Sequence, residues 1–266
     1  PSLRRSAYKA AASLGVSVAL LASAALSSAS AADPGTFEFV RDAVPPLRNS
    51  QTWVLTGKNL ADGGCQYRYP VAGETAIPAD GWALRVIAVD MSRCRKLMEE
   101  GTPTQLPDAS GLVAVSDTIG GSEGTSVTAA AASTKGAWLF LGYRDIANLL
   151  LTADVTQINW TYNGSTVSGG SATGVWKLFT PTNWQLDSKS LTQLYGPGNS
   201  YYRGQTTSTM SNDICPGDQL TYTKYFYNRV WGHPNGTATR SYSTDAVNEC
   251  LPFFLDMQSG YGQYSG

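Results

Sequence analysis

Residues 158–170 read INWTYNGSTVSGG, and this stretch decides the fold class that we expect for the chain. It continues the run VTQINWTY at residues 155–162, in which apolar and aromatic side chains alternate with polar ones around Trp160. Alternation with a period of two residues is typical of a β-strand. Asn163 and Gly164 follow, and both residue types tolerate the positive φ angles of a type I′ turn. The stretch therefore predicts a β-hairpin that turns at Asn163-Gly164.

The composition favours strands along the rest of the chain. The sequence holds 14 Tyr, 7 Trp and 27 Gly, which suit sheets and turns better than helices. Residues 137–143, AWLFLGY, are apolar on both faces, as a central strand would be. One helix is predicted at residues 93–100, because Ser92 can cap its start and Gly101 can end it. We expect an all-β, antiparallel, β-sandwich-like fold with that one short helix.

The N-terminal residues 1–31 have the features of a signal peptide. Three basic residues precede an uncharged apolar run at residues 10–26, and Ala-Ser-Ala at residues 29–31 matches a signal-peptidase site. No other segment approaches the roughly 18 apolar residues that a membrane span needs. We therefore expect a secreted, extracellular protein that does not insert into a membrane after cleavage.

Residues 116–136 contain almost no bulky side chain and predict a flexible Gly/Ser/Ala linker or loop. It separates a first β sub-unit at residues 32–115 from a second at residues 137–258. The mature chain of 235 residues, 266 less 31, is long enough to form either one large domain or two small ones. The low-complexity residues 259–266 predict a disordered tail.

The four cysteines predict two disulfides. Cys65, Cys94, Cys215 and Cys250 show no Cys-x-x-Cys spacing, in a chain expected to reach an oxidising compartment. Three pairings are possible, and we favour Cys65 with Cys94 and Cys215 with Cys250, because each pair brackets a hairpin-sized unit. Closing each loop of roughly 30 residues would stabilise the fold by about 3 to 4 kcal/mol.

Charge and histidine content argue against several functions. Residues 1–31 carry three bases and no acids, so 16 Lys+Arg then remain against 20 Asp+Glu, a net charge near −4. Nucleic acid is not an expected partner, since a phosphate-binding protein would show an excess of basic residues. His233 is the only histidine, so we expect no metal site, and no motif indicates a cofactor.

Residues 120–124, GGSEG, match the Gly-x-Ser-x-Gly pattern of a nucleophile elbow. An esterase would use Ser122 as nucleophile and His233 as base. The acid would come from Asp187, Asp213 or Asp218. The match lies in a Gly/Ser/Thr tract, however, and an α/β-hydrolase needs alternating strands and helices that the sequence lacks. A secreted esterase is therefore an alternative rather than the favoured function.

A two-carboxylate glycosidase is another form of the hydrolase alternative. Such an enzyme needs two acids on facing strands, about 5 to 9.5 Å apart. The acids in or beside predicted strands are Asp90, Asp145, Asp154, Asp187 and Asp256. The sequence does not say which of them face each other, so we nominate no pair and no catalytic residue.

The run YTKYFYNRVWG at residues 222–232 offers a binding surface. On a regular strand, one face carries three aromatic side chains and an arginine: Tyr225, Tyr227, Arg229 and Trp231. If Phe226 and Val230 point into the core, these four form an exposed row suited to a sugar ring, a peptide or a partner protein. In the opposite arrangement, the aromatic face belongs to the core and a loop covers the arginine.

Several segments together resemble a group of uncharacterised exported, β-rich proteins of actinobacteria. These segments are SRCRKLMEEGTP at residues 92–103, INWTYNG at 158–164, YFYNRVWGHPNGT at 225–237 and LPFFLDM at 251–257. The resemblance implies an extracellular β-rich fold and assigns no catalytic residue.

These observations favour a secreted binding protein that recognises an extracellular glycan or a partner protein through the aromatic strand face. A secreted hydrolase, either the esterase or the glycosidase, is the alternative from another functional class. A component of a secreted multi-protein assembly, joined by strand addition at a sheet edge, is a further alternative.

Overall fold

A computed structural model of the chain describes residues 36–41, 44–59, 65–67, 69, 73–107, 113–121, 132–179, 183–213, 221–247 and 252–264. The predicted signal peptide and the predicted partners Cys215 and Cys250 lie outside the described residues. The strands are β1 (Phe39–Val40), β2 (Arg48–Thr56), β3 (Lys58–Asn59), β4 (Cys65–Gln66), β5 (Thr75–Ala76), β6 (Trp82–Asp90), β7 (Arg95–Thr102), β8 (Val113–Gly121), β9 (Ser133–Arg144), β10 (Leu150–Tyr162), β11 (Val167–Leu178), β12 (Gln185–Tyr195), β13 (Tyr202–Asn212), β14 (Thr221–Gly232), β15 (Ala238–Val247) and β16 (Phe254–Tyr261). A 3-10 turn at Pro197–Asn199 precedes β13.

The predicted hairpin is formed by β10 and β11, which pair antiparallel from Thr152 to Tyr162 of β10. Its turn is not the expected type I′ turn, because Gly164 has a φ of 91° while Asn163 keeps a negative φ. Instead, Asn163 Oδ1 accepts hydrogen bonds from the backbone N–H groups of Ser165 at 3.0 Å and Thr166 at 2.8 Å. The asparagine thus closes the turn with its side chain, as Asn commonly does in loops.

The strands form two antiparallel sheets that pack face to face, so the predicted all-β, sandwich-like fold is confirmed. The larger sheet has the order β2-β7-β6-β16-β9-β10-β11-β8, with β1 beside β6, and the smaller has the order β12-β13-β14-β15-β5. β3 and β4 pair separately. The inner faces meet where β10 crosses β13 and β14, and there Thr156 Oγ1 lies 2.6 Å from Thr206 Oγ1.

Strands from both predicted sub-units lie in the larger sheet. β16, near the end of the chain, pairs with β6 from the first sub-unit and with β9 from the second. β8 pairs with β11 at the other end of the sheet. The described residues belong to one compact unit. The first and second halves of the sequence are therefore combined in one sheet rather than folded into a sheet each.

The predicted helix at residues 93–100 is wrong, since β7 occupies most of this segment. Asp90 Oδ1 accepts hydrogen bonds from the Ser92 hydroxyl at 2.7 Å and from the Arg93 backbone N–H at 3.1 Å, which closes a turn after β6. Cys94 has a φ of 48°, a left-handed conformation that ends the turn and cannot continue a helix. Pairing of β7 with β2 and β6 then overrides the local helix propensity.

Two further predictions about irregular segments are wrong in part. β8 and β9 take residues from both ends of the predicted linker at 116–136, while its interior lies outside the described residues. The predicted disordered tail is ordered through residue 264, since β16 extends to Tyr261 and the Tyr264 ring packs 5.4 Å from the Trp138 ring. A run of small residues without periodicity did not identify a loop here. Strands pair through backbone hydrogen bonds, so they can form without bulky side chains.

Candidate functional site

A β-bulge in β14 interrupts the predicted aromatic row. The ladder between β14 and β15 passes from the pair Tyr225↔Thr244 directly to the pair Tyr227↔Ser243, so Phe226 is an extra residue. A bulge of this kind changes which face the following side chains occupy. The four residues predicted to form the row therefore cannot all lie on one face.

The structure separates the first of these residues from the other three. Tyr225 is only 1% exposed, and its Oη lies 3.0 Å from Thr152 Oγ1 in the core. The prediction that Tyr225 shares a face with the rest is therefore wrong. Tyr227, Arg229 and Trp231 lie on the outer face of the five-stranded sheet, where the first two are half-buried and Trp231 is 8% exposed.

Arg229 and Arg203 form a positively charged pair on this outer face. The Arg229 guanidinium carbon lies 4.0 Å from the centre of the Tyr227 ring, and Nε donates a 2.6 Å hydrogen bond to Gln205 Oε1. β13 places Arg203 opposite Trp231 in the ladder. Burial and the charge of Arg203 lower the pKa of Arg229. No ion pair in the described part of the chain joins either arginine to a carboxylate.

A cavity of about 480 Å³ adjoins this outer face, and we call it the aromatic cavity. It is lined by Gln66, Tyr67, Tyr69, Phe226, Ser243, Thr244 and Asp245. Because Ser243 pairs with Tyr227 in the ladder, the cavity lies beside the outer-face residues that follow the bulge. Its volume is within the range of small-molecule sites, roughly 300 to 1,000 Å³.

The disulfide between Cys65 and Cys94 positions one wall of the aromatic cavity. The bond confirms the first predicted pair and ties Cys65, at the start of β4, to the turn before β7. Tyr67 and Tyr69, two and four residues beyond Cys65, are each about 5% exposed or less. The wall opposite them is supplied by β14 and β15.

Two polar atoms, each on a residue that lines the aromatic cavity, have no hydrogen-bond partner among the described residues. They are Tyr67 Oη and Asp245 Oδ1, and both are buried. A buried polar atom without a partner costs about 1 to 3 kcal/mol, so native proteins rarely keep one without a reason. The Tyr67 hydroxyl can donate and the Asp245 carboxylate can accept. Together they match a ligand hydroxyl group, which can both accept and donate.

Lys96 lies behind this tyrosine wall and is 3% exposed. Its Nζ donates hydrogen bonds to Tyr69 Oη at 2.8 Å and to the Phe253 carbonyl at 3.0 Å, and it lies 4.0 Å from the centre of the Tyr67 ring. Burial lowers the pKa of Lys96 to about 7, although the charge of Asp245 opposes this shift. Lys96 does not line the aromatic cavity, so it positions the two tyrosines and does not contact a ligand there.

Of the residues that line the aromatic cavity, only Phe226 is singled out by the sequence pattern, and the pattern leaves open whether its side chain points into the core or outward. The predicted disulfide was the available signal, since it brings residues shortly after Cys65 close to residues shortly after Cys94. The predicted helix at residues 93–100 is no guide to this relationship, since these residues belong to β7.

The described part of the esterase triad does not form a catalytic arrangement. His233 lies in the turn between β14 and β15, where its Nε2 is 2.9 Å from Thr239 Oγ1 and 3.2 Å from Glu74 Oε1. Asp187 is exposed and accepts a 2.8 Å hydrogen bond from Ser211. Ser122 and Asp218 lie outside the described residues, and Asp213 follows the end of β13.

Asp154, a candidate glycosidase acid, is sealed between the two sheets. Its carboxylate accepts hydrogen bonds from Ser208 at 2.6 Å, Trp176 at 2.9 Å and Asn228 at 3.2 Å, and also from Thr206. Burial raises its pKa to about 6, although all four hydrogen bonds oppose the shift. With no exposed surface, Asp154 organises the polar interior of the sandwich and cannot reach a substrate.

The other candidate acids also have structural partners. Asp90 closes the turn after β6, and Asp145 accepts a 2.8 Å hydrogen bond from the Leu149 backbone N–H. Asp256 forms ion pairs with Arg41 and Arg144, both at 2.6 Å. Burial disfavours the ionised form of Asp256, but the two arginines outweigh it and lower its pKa. A carboxylate held ionised in this way is a poor general acid.

The described residues contain no cluster of three or more His, Cys, Asp or Glu side chains that could hold a metal ion. Within the same residues, no helix is sufficiently long and apolar to cross a membrane. Comparison of the chain with protein-family models, with curated proteins and with solved structures found no match.

Proposed function

We propose that this protein is a secreted binding protein that recognises a carbohydrate through the aromatic cavity. The observation that carries this proposal is that two residues lining one cavity, Tyr67 and Asp245, each have a buried polar atom without a partner among the described residues. Sugars offer several hydroxyl groups on a compact ring, so one sugar can satisfy both atoms. The energetic cost of leaving these atoms unpaired would then be recovered on binding.

The aromatic walls of the cavity support the same class of ligand. Tyr67, Tyr69 and Phe226 provide flat apolar surfaces, and Phe226 is 45% exposed although it is a large hydrophobic residue. Aromatic rings pack against the apolar faces of sugar rings and lose little conformational entropy in doing so. Polar groups placed among such surfaces fix the orientation of a bound ligand.

The outer face beside the cavity supports the proposal of a carbohydrate that is longer than one sugar and carries negative charge. Tyr227 continues the aromatic surface from the cavity toward Arg229 and Arg203. The Nε of Arg203 is buried and has no hydrogen-bond partner among the described residues. Guanidinium groups bind carboxylate and sulfate-like oxyanions in paired hydrogen bonds. We therefore propose an acidic glycan, with its charged sugar above the two arginines.

The acids near the site favour a protein that binds its ligand without catalysing a reaction. Asp245 is the only acid that lines the aromatic cavity among the described residues. A glycosidase needs a second carboxylate across the scissile bond. The described lining of the cavity accordingly offers recognition of hydroxyl groups and contains one acid instead of the pair that hydrolysis requires.

A glycan array probed with the purified protein tests this proposal. We expect binding to glycans that contain uronic or sulfated sugars and weaker binding to their neutral counterparts. Asp245→Asn and Phe226→Ala should each reduce the signal at least about tenfold, the equivalent of one lost hydrogen bond or stacking contact. Arg203→Gln should reduce only the preference for acidic glycans.

The matched controls are Asp187→Asn and Leu194→Ala, which change an exposed acid and an exposed apolar residue on the same sheet, away from the cavity. Both controls should bind as the unaltered protein does. Absence of binding to every glycan on the array, or binding that is indifferent to Asp245→Asn and Phe226→Ala, would overturn the proposal.

A further inference from the structure

Two consecutive aromatic residues of β14 each pack against a cation. Lys224 Nζ lies 4.9 Å from the centre of the Phe226 ring, and the Arg229 guanidinium carbon lies 4.0 Å from the centre of the Tyr227 ring. Both distances are short enough for the ring to attract the cation. Phe226, which the bulge adds to the strand, also lines the aromatic cavity. Two aromatic–cation pairs therefore follow each other along β14 beside the cavity.

Lys224 and Asp245 lie directly opposite each other in the ladder between β14 and β15, yet no ion pair joins them. Opposite charges on directly opposed residues commonly stabilise a sheet by pairing. Here the ammonium group lies against Phe226 instead, and Asp245 Oδ1 is buried without a hydrogen-bond partner among the described residues. A cation and a carboxylate oxygen thus stand side by side at the cavity, and each can bind a different group of one ligand.

Lys224 is accessible to a charged ligand, unlike the lysine behind the tyrosine wall. Lys224 and Phe226 are both exposed residues of β14, whereas Lys96 is 3% exposed. The cation–π contact restricts the long lysine side chain before a ligand binds, which reduces the entropy that binding would cost. An anionic group that approaches Phe226 from solvent therefore meets a partly ordered ammonium group.

The cations of β14 lie on both sides of the two aromatic residues. Lys224 precedes Phe226 in the strand, and Arg229 follows Tyr227, with Arg203 on the neighbouring strand. A glycan with one charged sugar would use the two arginines and leave Lys224 without a role. The arrangement instead fits a glycan whose charged groups recur at short intervals along the chain.

We infer that the ligand of the aromatic cavity carries a carboxylate on consecutive sugars, as a polyuronate does. This inference rests on the proposed carbohydrate function and names the class of glycan. One uronic sugar places its carboxylate at Lys224 and a hydroxyl group at Asp245. The next places its carboxylate at Arg229 and Arg203. In a glycan whose acidic and neutral sugars alternate, one of these two positively charged positions faces a neutral sugar.

Three tetrasaccharides of equal length separate the possible charge patterns. Tetragalacturonate carries a carboxylate on every sugar, a hyaluronan tetrasaccharide carries one on every second sugar, and chitotetraose carries none. In calorimetric titrations of the full protein, tetragalacturonate should bind about fivefold more tightly than the hyaluronan tetrasaccharide, the equivalent of one further ion pair at an exposed position. Chitotetraose should bind most weakly.

Lys224→Gln tests the second charged position without changing an aromatic residue. It should weaken tetragalacturonate binding about fivefold and leave chitotetraose binding unchanged, because only the charged ligand uses the ammonium group. Lys135→Gln is the matched control, since it removes the same charge from an exposed position of β9 that does not line the cavity. The control should bind all three tetrasaccharides as the unaltered protein does.

The outcomes that contradict this inference differ from those that contradict the proposed function. Equal affinity for tetragalacturonate and the hyaluronan tetrasaccharide, or an unchanged affinity in Lys224→Gln, would overturn the inference alone. An equal loss of chitotetraose affinity in Lys224→Gln would do the same, because Lys224 would then act through its neighbour Asp245. Absence of glycan binding, or binding that is indifferent to Asp245→Asn and Phe226→Ala, would overturn both.

Discussion

The ammonium group of Lys96 lies 4.0 Å from the centre of the Tyr67 ring, and it forms no ion pair with a carboxylate in the described part of the chain. The Tyr67 ring and two hydrogen-bond acceptors, Tyr69 Oη and the Phe253 carbonyl, offset the energetic cost of burying this ammonium group. The residue that supports the cavity wall is therefore also a source of pH-dependent stability.

The free energy of unfolding should rise between pH 7 and pH 9.5. Burial lowers the pKa of Lys96 to about 7 in the folded protein, while the unfolded chain has a value near 10.5. In this interval the unfolded state binds more protons, so stability increases as the pH rises. We expect an increase on the order of 2 kcal/mol in urea unfolding, and it should disappear in Lys96→Met. Lys58→Met, at an exposed position, should keep the increase.

Removal of the disulfide should weaken both the fold and ligand binding. Cys65→Ser combined with Cys94→Ser opens a loop with a sequence separation of 29 residues. The expected loss is about 3 to 4 kcal/mol in the free energy of unfolding. The variant should also lose glycan affinity at temperatures where it remains folded, because Tyr67 and Tyr69 are no longer held in place. Full affinity in the folded variant would show that the tyrosine wall forms without the disulfide.

The bulge at Phe226 predicts opposite behaviour for two neighbouring tyrosines. Tyr225→Ala removes a fully buried ring and should cost about 3 to 5 kcal/mol of stability. Tyr227→Ala changes a half-buried outer ring and should cost about 1 kcal/mol, while it reduces glycan binding. Thermal and urea unfolding of both variants measure the difference. Similar losses of stability would place both rings in the core.

The sequence pattern predicted side-chain positions correctly where the strand is regular and failed where it is not. The alternation around Trp160 correctly identified the hairpin, because β10 is regular through most of its length. The same reasoning failed at Tyr225, since the bulge that adds Phe226 has no signal in the side-chain pattern. Lys96 was missed for another reason. Helix propensity in its segment was overridden by pairing with β2 and β6, which is a long-range effect.

The buried carboxylate of Asp154 predicts a second pH effect with the opposite sign. Its pKa of about 6 in the folded protein exceeds the unfolded value of 3.8, so the folded state binds the proton more tightly. The contribution of Asp154 to stability is therefore fully present below pH 3.8 and decreases as the pH rises toward 6. Asp154→Asn should be less stable than the unaltered protein, because the new amide faces hydrogen-bond donors on both sides.

The measurement that isolates this effect is the difference in unfolding free energy between the unaltered protein and Asp154→Asn at pH 4.5 and pH 7. We expect the larger difference at pH 4.5. A difference that grows with pH would mean that the folded protein prefers the ionised carboxylate, contrary to the effect of its burial.

Tyr67→Phe tests the central claim most directly, because it removes one hydroxyl oxygen and little else. If Tyr67 Oη is kept without a partner for the sake of a ligand, the variant should be at least as stable as the unaltered protein. Its affinity for the best glycan from the array should nevertheless fall at least about tenfold. Tyr201→Phe should change neither quantity. Unchanged glycan affinity, or a loss of stability above about 1 kcal/mol, would contradict the account.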